Sequence, residues 1–291
     1  MTSESRYKSI LWTDDEDVVV ITLNRPSAVN AITPELEQEL HAALREAEQE
    51  PTIRAVVLTG AGGNFCAGYD IGPDDDESHS GQSPRASEQL SRWWDVDMTA
   101  PSRHLTIMRL GIPVIAAVNG WCLGGGLWYA LACDITIAAD TAVFGQPEVR
   151  ESQNSTFLVA ALAGWKNAHR YALTGDHFDA AEALRIGIVN EVVPADQLMD
   201  TATRLAKRIA KVPAQSVRIN KAITTFGLEA MGLAAALNAG AMLSVVVHSS
   251  ADSADLDELH RIRDSDGLRA SLRHRDDPFR PEPGGPRSSR E

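Results

Sequence analysis

The stretch "PVIAAVNGWCLGGGLWYALACD", Pro113 to Asp134, joins an apolar run to a second apolar run through three consecutive glycines. The first run is rich in small and β-branched residues, which is typical of a strand buried on both faces. The second is typical of a helix, in which Trp128 stands one turn after the glycines. The sequence therefore predicts a strand that turns into a helix at Gly124, Gly125 and Gly126.

Further strands and helices alternate on both sides of this stretch. A helix is predicted from Thr33, which is suited to be its N-cap because Pro34 follows at the first helical position. A second capped helix, "DAAEALRIG", is predicted to end on Gly187. The repeated order of strand, polar turn and helix favours an α/β layered fold. The other buried strands are predicted in "VVVITLNR" (18–25), "RAVVLTG" (54–60), "DITIAAD" (134–140) and "GIVNEVV" (187–193).

Composition narrows the class of protein. The 291 residues are 44% apolar and 23% charged, as in an ordinary globular protein, and the net charge is -13. So acidic a chain is not expected to bind nucleic acid or an anionic membrane, because phosphate binding needs clustered Lys and Arg. Cys66, Cys122 and Cys133 lack the C-x-x-C spacing of a metal site, and no signal peptide is evident. A reduced, cytoplasmic protein is the expectation.

The helical content rises toward the C-terminus. Residues 196–270 are predicted to be almost wholly helical, including the apolar "MGLAAALNAGAMLSVVV", which is interpreted as a packed helix. The polar, acidic residues 73–88 are predicted to form a mobile surface loop. These patterns divide the chain into an α/β core at 1–195 that carries the site, a C-terminal helical region at 196–275, and a flexible tail at 276–291 rich in Pro, Gly and charge.

The three glycines have two possible explanations. Glycine costs about 1 kcal/mol per residue inside a helix, so three in a row suggest that exposed backbone is needed there; close packing of helix on strand is the alternative. The first N–H groups of a helix have no internal partners and face an electropositive end. A second short loop, "FCAGYDI", also offers amides beside the small residues Ala67 and Gly68. Two such amides can form an oxyanion hole, which stabilises negative charge on a carbonyl oxygen.

Glu148 in "FGQPEVRES" is the candidate acid or base. Pro147 fixes the backbone before it, and flanking apolar residues can raise the pKa of the carboxyl toward a useful value. A surface glutamate after a turn is the alternative. "TGAGGNF" is a poor dinucleotide fingerprint, because Phe65 takes the place of the third glycine and no helix follows. No G-x-S-x-G nucleophile motif is present, and the sequence places no histidine to activate Cys66.

Five segments together resemble the crotonase superfamily, the enoyl-CoA hydratase/isomerase proteins. The resemblance spans roughly residues 10–250 and implies a spiral of β-β-α turns followed by helices that mediate trimers, often paired into hexamers. It also implies an acyl-CoA thioester as substrate, with coenzyme A entering as part of that substrate and no bound cofactor or metal. The matching segments are "ITLNRPSAVNAI" (21–32), "RAVVLTGAGGNFCAGYDI" (54–71), "PVIAAVNGWCLGGGLWYALACDITIAAD" (113–140), "AVFGQPEV" (142–149) and "LTGDHFDAAEALRIGIVNEVVP" (173–194).

The resemblance also assigns roles to individual residues. The family's two oxyanion amides fall on Ala67 and Gly125, and the second of its two catalytic glutamates falls on Glu148. The position of the first catalytic glutamate is Trp128, whose indole cannot exchange a proton at working pH. Residues expected to border coenzyme A or the acyl group are Arg25, Ala28, Ala67, Gly68, Tyr69, Asp70, Ile71, Gly124, Gly125 and Trp128.

A second departure from the family pattern follows Glu148. A glycine-rich segment is usual there, whereas this chain has "VRESQNSTF" (149–157), so Arg150, Glu151, Ser152 and Ser155 are expected to line the acyl pocket. Family members with only the second glutamate often act as double-bond isomerases, and isomerisation of an enoyl-CoA is the main hypothesis. Three alternatives stay open: hydration of a 2-enoyl-CoA, other enolate chemistry such as C–C or thioester hydrolysis or decarboxylation, and non-catalytic acyl-CoA binding.

Overall fold

A computed structural model describes residues 6–71, 86–151, 155–249 and 254–282. Its strands form a six-stranded sheet in the order β1-β2-β3-β4-β6-β9 and a three-stranded sheet in the order β5-β7-β8. The strands are β1 (Ile10–Asp15), β2 (Val18–Leu23), β3 (Ala55–Gly60), β4 (Val114–Val118), β5 (Trp121–Leu123), β6 (Ile135–Ala139), β7 (Val143–Gly145), β8 (Phe178–Asp179) and β9 (Glu191–Val193).

Helices surround both sheets and make up most of the C-terminal part. They are α1 (Pro34–Gln49), α2 (Ala86–Asp97), α3 (Ala100–Arg109), α4 (Gly125–Ala132), α5 (Phe157–Ala172), α6 (Ala180–Arg185), α7 (Leu198–Ala210), α8 (Ala214–Ala230), α9 (Leu233–Ser249), α10 (Ala254–Asp266) and α11 (Leu268–Asp276). Short 3-10 helices span Pro26–Ala28, Pro147–Glu151, Ala195–Gln197 and Asp277–Phe279. The predicted α/β class is confirmed.

The two sheets are built up by a spiral. β3, β4 and β6 are parallel neighbours in the large sheet, while Cys66, β5 and β7 are neighbours in the same order in the second layer. Each turn thus adds one strand to each layer before the chain enters a helix. Because β4 leads into β5 and β5 leads into α4, the glycines after Leu123 lie where the second layer meets a helix.

The large sheet is covered on both faces, which explains its continuous apolar strands. α1 covers one face, where Leu36, Leu40 and Leu44 are almost fully buried. α7 covers the other face and buries Leu198, Ala202 and Ala206 against β3, β4 and β6. β1, which pairs antiparallel with β2, extends the edge of this sheet.

Local sequence signals account for several element ends. The Thr33 hydroxyl accepts a hydrogen bond from the Leu36 N–H, and the Asp179 carboxylate accepts one from the Glu182 N–H, so both predicted N-caps are confirmed. Gly187 follows α6 at φ +84°. The predicted loop at 73–88 lies outside the described residues except for Ala86 and the two residues after it, which begin α2.

The predicted flexible tail is wrong for its first part. Asp276 and Glu282 are buried, at 9% and 6% exposure, and both form ion pairs with Arg150. Burial inside an ion-pair cluster holds these residues, although Pro and charge dominate their sequence. Residues 283–291 lie outside the described part of the chain.

Among the described residues, no single helix has the length and apolar composition to span a membrane. α8 and α9 together reach that length and composition, but they are bent by 57° at the break between them.

Candidate active site

The glycine turn exposes one backbone donor. Gly124 adopts φ +49°, outside the helix, and its N–H donates to the Gly145 oxygen at 3.0 Å. Gly125 begins α4, so its N–H has no partner inside the helix, and no acceptor for it occurs in the described residues. A Cβ on Gly126 would lie 2.6 Å from the Cys66 oxygen, so this glycine serves close packing. Exposed backbone and close packing therefore both explain the three glycines, at different positions.

A parallel bridge between Ile32 and Tyr69 orients the second loop. The Gly68 oxygen accepts from the Ile32 N–H at 2.8 Å, and the Asp70 N–H donates to the Ile32 oxygen at 2.9 Å. Since successive amides along an extended chain alternate in direction, the Tyr69 N–H points away from Ile32. It too finds no acceptor in the part of the chain that the structure describes. The Tyr69 ring lies against Gly125, where a Cβ would meet it at 2.7 Å.

The Ala67 assignment is corrected by this geometry. The Ala67 N–H donates to the Val29 oxygen at 3.0 Å, and the residue is exposed on the loop. An amide already engaged by a backbone carbonyl is not free to bind a substrate oxygen. In the described residues, the Tyr69 and Gly125 N–H groups, which come from the loop and from the start of α4, both lack an acceptor and lie beside the glycine turn.

Glu148 lies beside the glycine turn. It sits in the 3-10 helix Pro147–Glu151 directly after β7, and its Oε2 would be 3.3 Å from a Cβ on Gly124. Its Oε1 is buried and lacks a hydrogen-bond partner in the described residues, which excludes the surface alternative. Burial raises the pKa of Glu148 to about 8; the Glu151 charge adds to the rise, while backbone hydrogen bonding and Arg275 oppose it. A carboxyl with this pKa can both take and give a proton near neutral pH.

This raised pKa predicts a pH-dependent stability difference. Between about pH 4.5 and 8 the folded protein keeps the Glu148 proton that the unfolded chain releases, so the free energy of unfolding falls as the pH rises. We expect Glu148→Gln to unfold at the same free energy as wild type at pH 4 and to gain roughly 2–4 kcal/mol by pH 9. Denaturant titrations across that range measure the difference; an equal gain in the exposed-site control Glu191→Gln would contradict it.

Trp128 forms a fixed wall one turn into α4. Its half-buried indole donates from Nε1 to the Gln146 Oε1 at 3.1 Å, and Gln146 is itself 1% exposed. The His104 ring lies edge-on to the indole, with centroids 5.8 Å apart. Burial lowers the pKa of His104 to about 3, so its ring is neutral. Sequence reasoning missed Gln146 and His104, because the contacts that join them to Trp128 come from different elements.

A second polar cluster behind the loop was also missed. The Tyr69 and Tyr129 hydroxyls donate to the Glu37 Oε1 at 3.1 and 2.7 Å, and Arg103 pairs with the Glu37 Oε2 at 3.0 Å. Glu37 and His41 flank the apolar stripe of α1 at i, i+4 spacing, and both are buried. Polar residues beside the buried stripe of a helix are the sequence signal that could have revealed this cluster.

The rim of the site carries the expected basic residue. Arg25 donates to the Asp70 carboxylate at 2.9 Å and to the Ala31 oxygen at 2.6 Å. Ala28 ends the 3-10 helix that follows Arg25, and Ile71 is 40% exposed. The structure thus brings the loop residues Arg25 and Asp70 together, while their contact with coenzyme A stays a prediction.

Arg150 and Glu151 are not free to line an acyl pocket, as had been expected. The Arg150 side chain is 1% exposed and pairs with Asp176, Asp276 and Glu282. Glu151 pairs with Arg275 at 2.9 Å. Carboxylates hold the Arg150 side chain and a guanidinium group holds the Glu151 side chain, and these partners come from distant parts of the chain. Ser152 lies outside the described residues, and Ser155 is half-buried just before α5.

Comparison with known proteins agrees with this architecture. The family model described as enoyl-CoA hydratase/isomerase matches residues 13–256. A probable enoyl-CoA hydratase of Mycobacterium tuberculosis is 37% identical over 219 residues, which cover 74% of this chain and 80% of the relative. A mevalonyl-coenzyme A hydratase of Beauveria bassiana is 39% identical over 210 residues, covering 70% and 74%.

Solved structures show the same fold. An enoyl-CoA hydratase/isomerase from Xanthobacter autotrophicus Py2 matches with a TM-score of 0.81 at 33% identity, over 94% of this chain and 99% of that one. The enoyl-CoA hydratase from Mycobacterium tuberculosis H37Rv matches with a TM-score of 0.67 at 34% identity, over 84% and 100%. The chain therefore belongs to the enoyl-CoA hydratase/isomerase family and is an acyl-CoA enzyme of that type.

Proposed function

We propose that this enzyme moves the double bond of an enoyl-CoA, with Glu148 as the single acid–base group. The observation that carries the proposal is the chemistry of two side chains near the glycine turn, Glu148 and Trp128. The Glu148 Oε1 is buried without a partner, whereas the position one turn into α4 holds an indole bound to Gln146. An indole donates a hydrogen bond but cannot activate a water by taking its proton.

The proposed reaction needs one proton carrier and an oxyanion site. The Glu148 carboxylate removes a proton from C2 of a 3-enoyl-CoA, and the electron pair passes into the thioester to give an enolate. The Tyr69 and Gly125 N–H groups donate to the enolate oxygen. The same Glu148 then returns the proton to C4, which gives the 2-enoyl-CoA with no change in composition. Because its pKa is about 8, Glu148 exchanges the proton at little cost near neutral pH.

A panel of CoA esters tests the proposal. The purified enzyme is incubated with a saturated, a 2-enoyl and a 3-enoyl CoA ester, and the products are followed by mass spectrometry. We expect the 3-enoyl ester to become the 2-enoyl ester at unchanged mass. In D₂O, deuterium enters at C4 only to the extent that the Glu148 proton exchanges with solvent before it is returned. If only the 2-enoyl ester reacted, and its product were heavier by one water molecule, isomerisation would be overturned in favour of hydration.

Hydration is the second candidate, because relatives at 37–39% identity are named as hydratases. In this chain, hydration requires that Glu148 works with a water held by a group other than a glutamate on α4. Other enolate reactions, such as decarboxylation or thioester hydrolysis, use the same two amides. Products of lower mass from substituted acyl-CoA esters would reveal them.

We also propose a homotrimer or a dimer of trimers, as the family resemblance implies. The C-terminal helices leave a large apolar surface uncovered within one chain, which supports association with other copies. Light scattering of the purified protein measures the number of subunits. The exposed apolar residues on these helices include Ile219, Ile223 and Phe226 on α8 and Met242, Leu243 and Val246 on α9.

A further inference from the structure

The turn that carries Glu148 has little stability of its own. Pro147–Glu151 is a five-residue 3-10 helix, and 3-10 geometry is seldom stable without outside support. The two residues that end it, Arg150 and Glu151, point their charged groups toward residues 275–282. We call Arg275, Asp276 and Glu282 the C-terminal clasp.

Arg150 is the centre of one half of this contact. Its Nη1 lies 3.0 Å from the Asp276 Oδ1, and its Nη2 lies 2.9 Å from the Glu282 Oε1. Asp176 pairs with the same Nη2 at 3.1 Å, and the Phe279 ring covers the guanidinium at 4.1 Å. A guanidinium that is 1% exposed and held on several sides fixes the backbone that carries it.

Arg275 forms the other half. Its Nη1 pairs with the Glu151 Oε1 at 2.9 Å, and its Nε pairs with the Asp276 Oδ1 at 2.8 Å. The Arg275 side chain is 8% exposed, so little solvent screens its charge. Arg275 and Glu151 thus form an ion pair at the end of the 3-10 helix that carries Glu148, and the charge of each acts on the Glu148 carboxyl.

We infer that the C-terminal clasp positions Glu148 and sets the pH range in which it works. Arg275 and Glu151 are the positioning residues that act on its charge, while Asp276 and Glu282 hold Arg150 and hence the turn. The inference rests on the acid–base role proposed for Glu148. Asp276 and Glu282, which were predicted to lie in a flexible tail, thereby join Arg275 of the helical region in positioning Glu148.

The surrounding charges support opposite effects for the two positioning residues. The positive charge of Arg275 lowers the pKa of Glu148, and the negative charge of Glu151 raises it, both against the larger rise caused by burial. In the part of the chain that the structure describes, the other charged or titratable groups at this turn are Arg150, Asp176, Asp276, His177 and Glu282. Burial raises the pKa of Glu282, but His177 and Arg150 outweigh it and lower the pKa to about 2, so Glu282 stays ionised.

The test compares charge-removing variants of the two positioning residues. Arg275→Gln removes the cation that favours the ionised form of Glu148, so the pKa of Glu148 is expected to rise. The acidic limb of log(kcat/KM) against pH, which reports that pKa, is then expected to move to higher pH by about half a pH unit. Glu151→Gln removes the unfavourable anion, so the limb is expected to move down by a similar amount. The double variant is expected to lie near wild type. Arg273→Gln is the matched control, because Arg273 is exposed on the same helix and carries the same charge.

A purely structural role would lower the melting temperature and leave the limb in place. The inference would be overturned if the acidic limbs of Arg275→Gln and Glu151→Gln had the same midpoint as that of the Arg273→Gln control. It would also be overturned if both limbs moved in the same direction. Infrared difference titration of the Glu148 carboxylic acid band, identified by its loss in Glu148→Gln, gives the same midpoints without any turnover. If those midpoints shift in opposite directions while no ester is isomerised, the clasp stands and the proposed function fails.

Discussion

We expect that replacing Glu148 by glutamine lowers the rate of the proposed isomerisation by about 10²–10⁴-fold, the usual contribution of a positioned acid or base. Glutamine keeps the size of the side chain and its ability to form hydrogen bonds, but it cannot take the C2 proton. The buried Oε1 of Glu148 has no partner in the described residues, so the substitution breaks no internal hydrogen bond there. We therefore expect the loss in kcat with little change in binding of the ester.

The measurement is kcat and KM on a 3-enoyl-CoA for Glu148→Gln beside Glu191→Gln. Glu191 is exposed at the start of β9, an edge strand of the large sheet, whereas the glycine turn follows β5 of the second sheet, and Glu191→Gln makes the same chemical change. Wild-type turnover in Glu148→Gln would remove Glu148 from the mechanism, whatever its stability. A rise in stability above pH 7 together with a loss of turnover is the expected combination, since the raised pKa that serves catalysis destabilises the fold.

Adding one methyl group at Gly125 is expected to lower kcat by about 10²–10³-fold. The new Cβ would lie 2.7 Å from the Tyr69 ring and 3.2 Å from the Ile32 side chain, so the ring must move. Tyr69 also supplies one of the two proposed oxyanion amides, and loss of such a donor costs about 3 kcal/mol of transition-state stabilisation. Gly125→Ala thus disturbs the site although alanine suits the helical backbone there.

Gly240→Ala serves as the matched control for Gly125→Ala. Gly240 lies inside α9, and a Cβ there would meet no atom within 4 Å, so this variant is expected to be fully active and slightly more stable. Circular dichroism and thermal melting show whether Gly125→Ala remains folded. A folded Gly125→Ala enzyme with unchanged kcat would show that the Tyr69–Gly125 contact is irrelevant to the reaction.

Much of the architecture follows from local sequence signals. β4, the glycine start of α4, the N-caps Thr33 and Asp179, and the helical C-terminal region lie where the residue patterns predict them. The predicted direct passage from β4 into the glycines is wrong, because β5, a strand of the second sheet, lies between them. These features depend on periodicity, capping and backbone freedom, which act over a few residues. β1 was not predicted, because its one-sided burial at the sheet edge leaves little apolar pattern.

The candidate site was predicted less completely. Gly125 and Glu148 lie beside the same turn, as expected, but Ala67 had to be replaced by Tyr69 as the second amide. Both residues belong to one short loop, so composition cannot distinguish them. The bridge to Ile32 and the Val29 carbonyl, from another part of the chain, decide which amide stays free.

The sequence by itself indicated an α/β protein that resembles the enoyl-CoA hydratase/isomerase family, with Trp128 at the position that the resemblance gives to the family's first catalytic glutamate. Short-range patterns are sufficient for the α/β class, while the family and the place of Trp128 come from the resemblance of five segments to that family. The tertiary structure alone decided the direction of the Tyr69 amide, the burial of Glu148, and the clasp formed by Arg275, Asp276 and Glu282. Each depends on groups brought together from distant parts of the chain, and desolvation and ion pairing act between such groups only after folding.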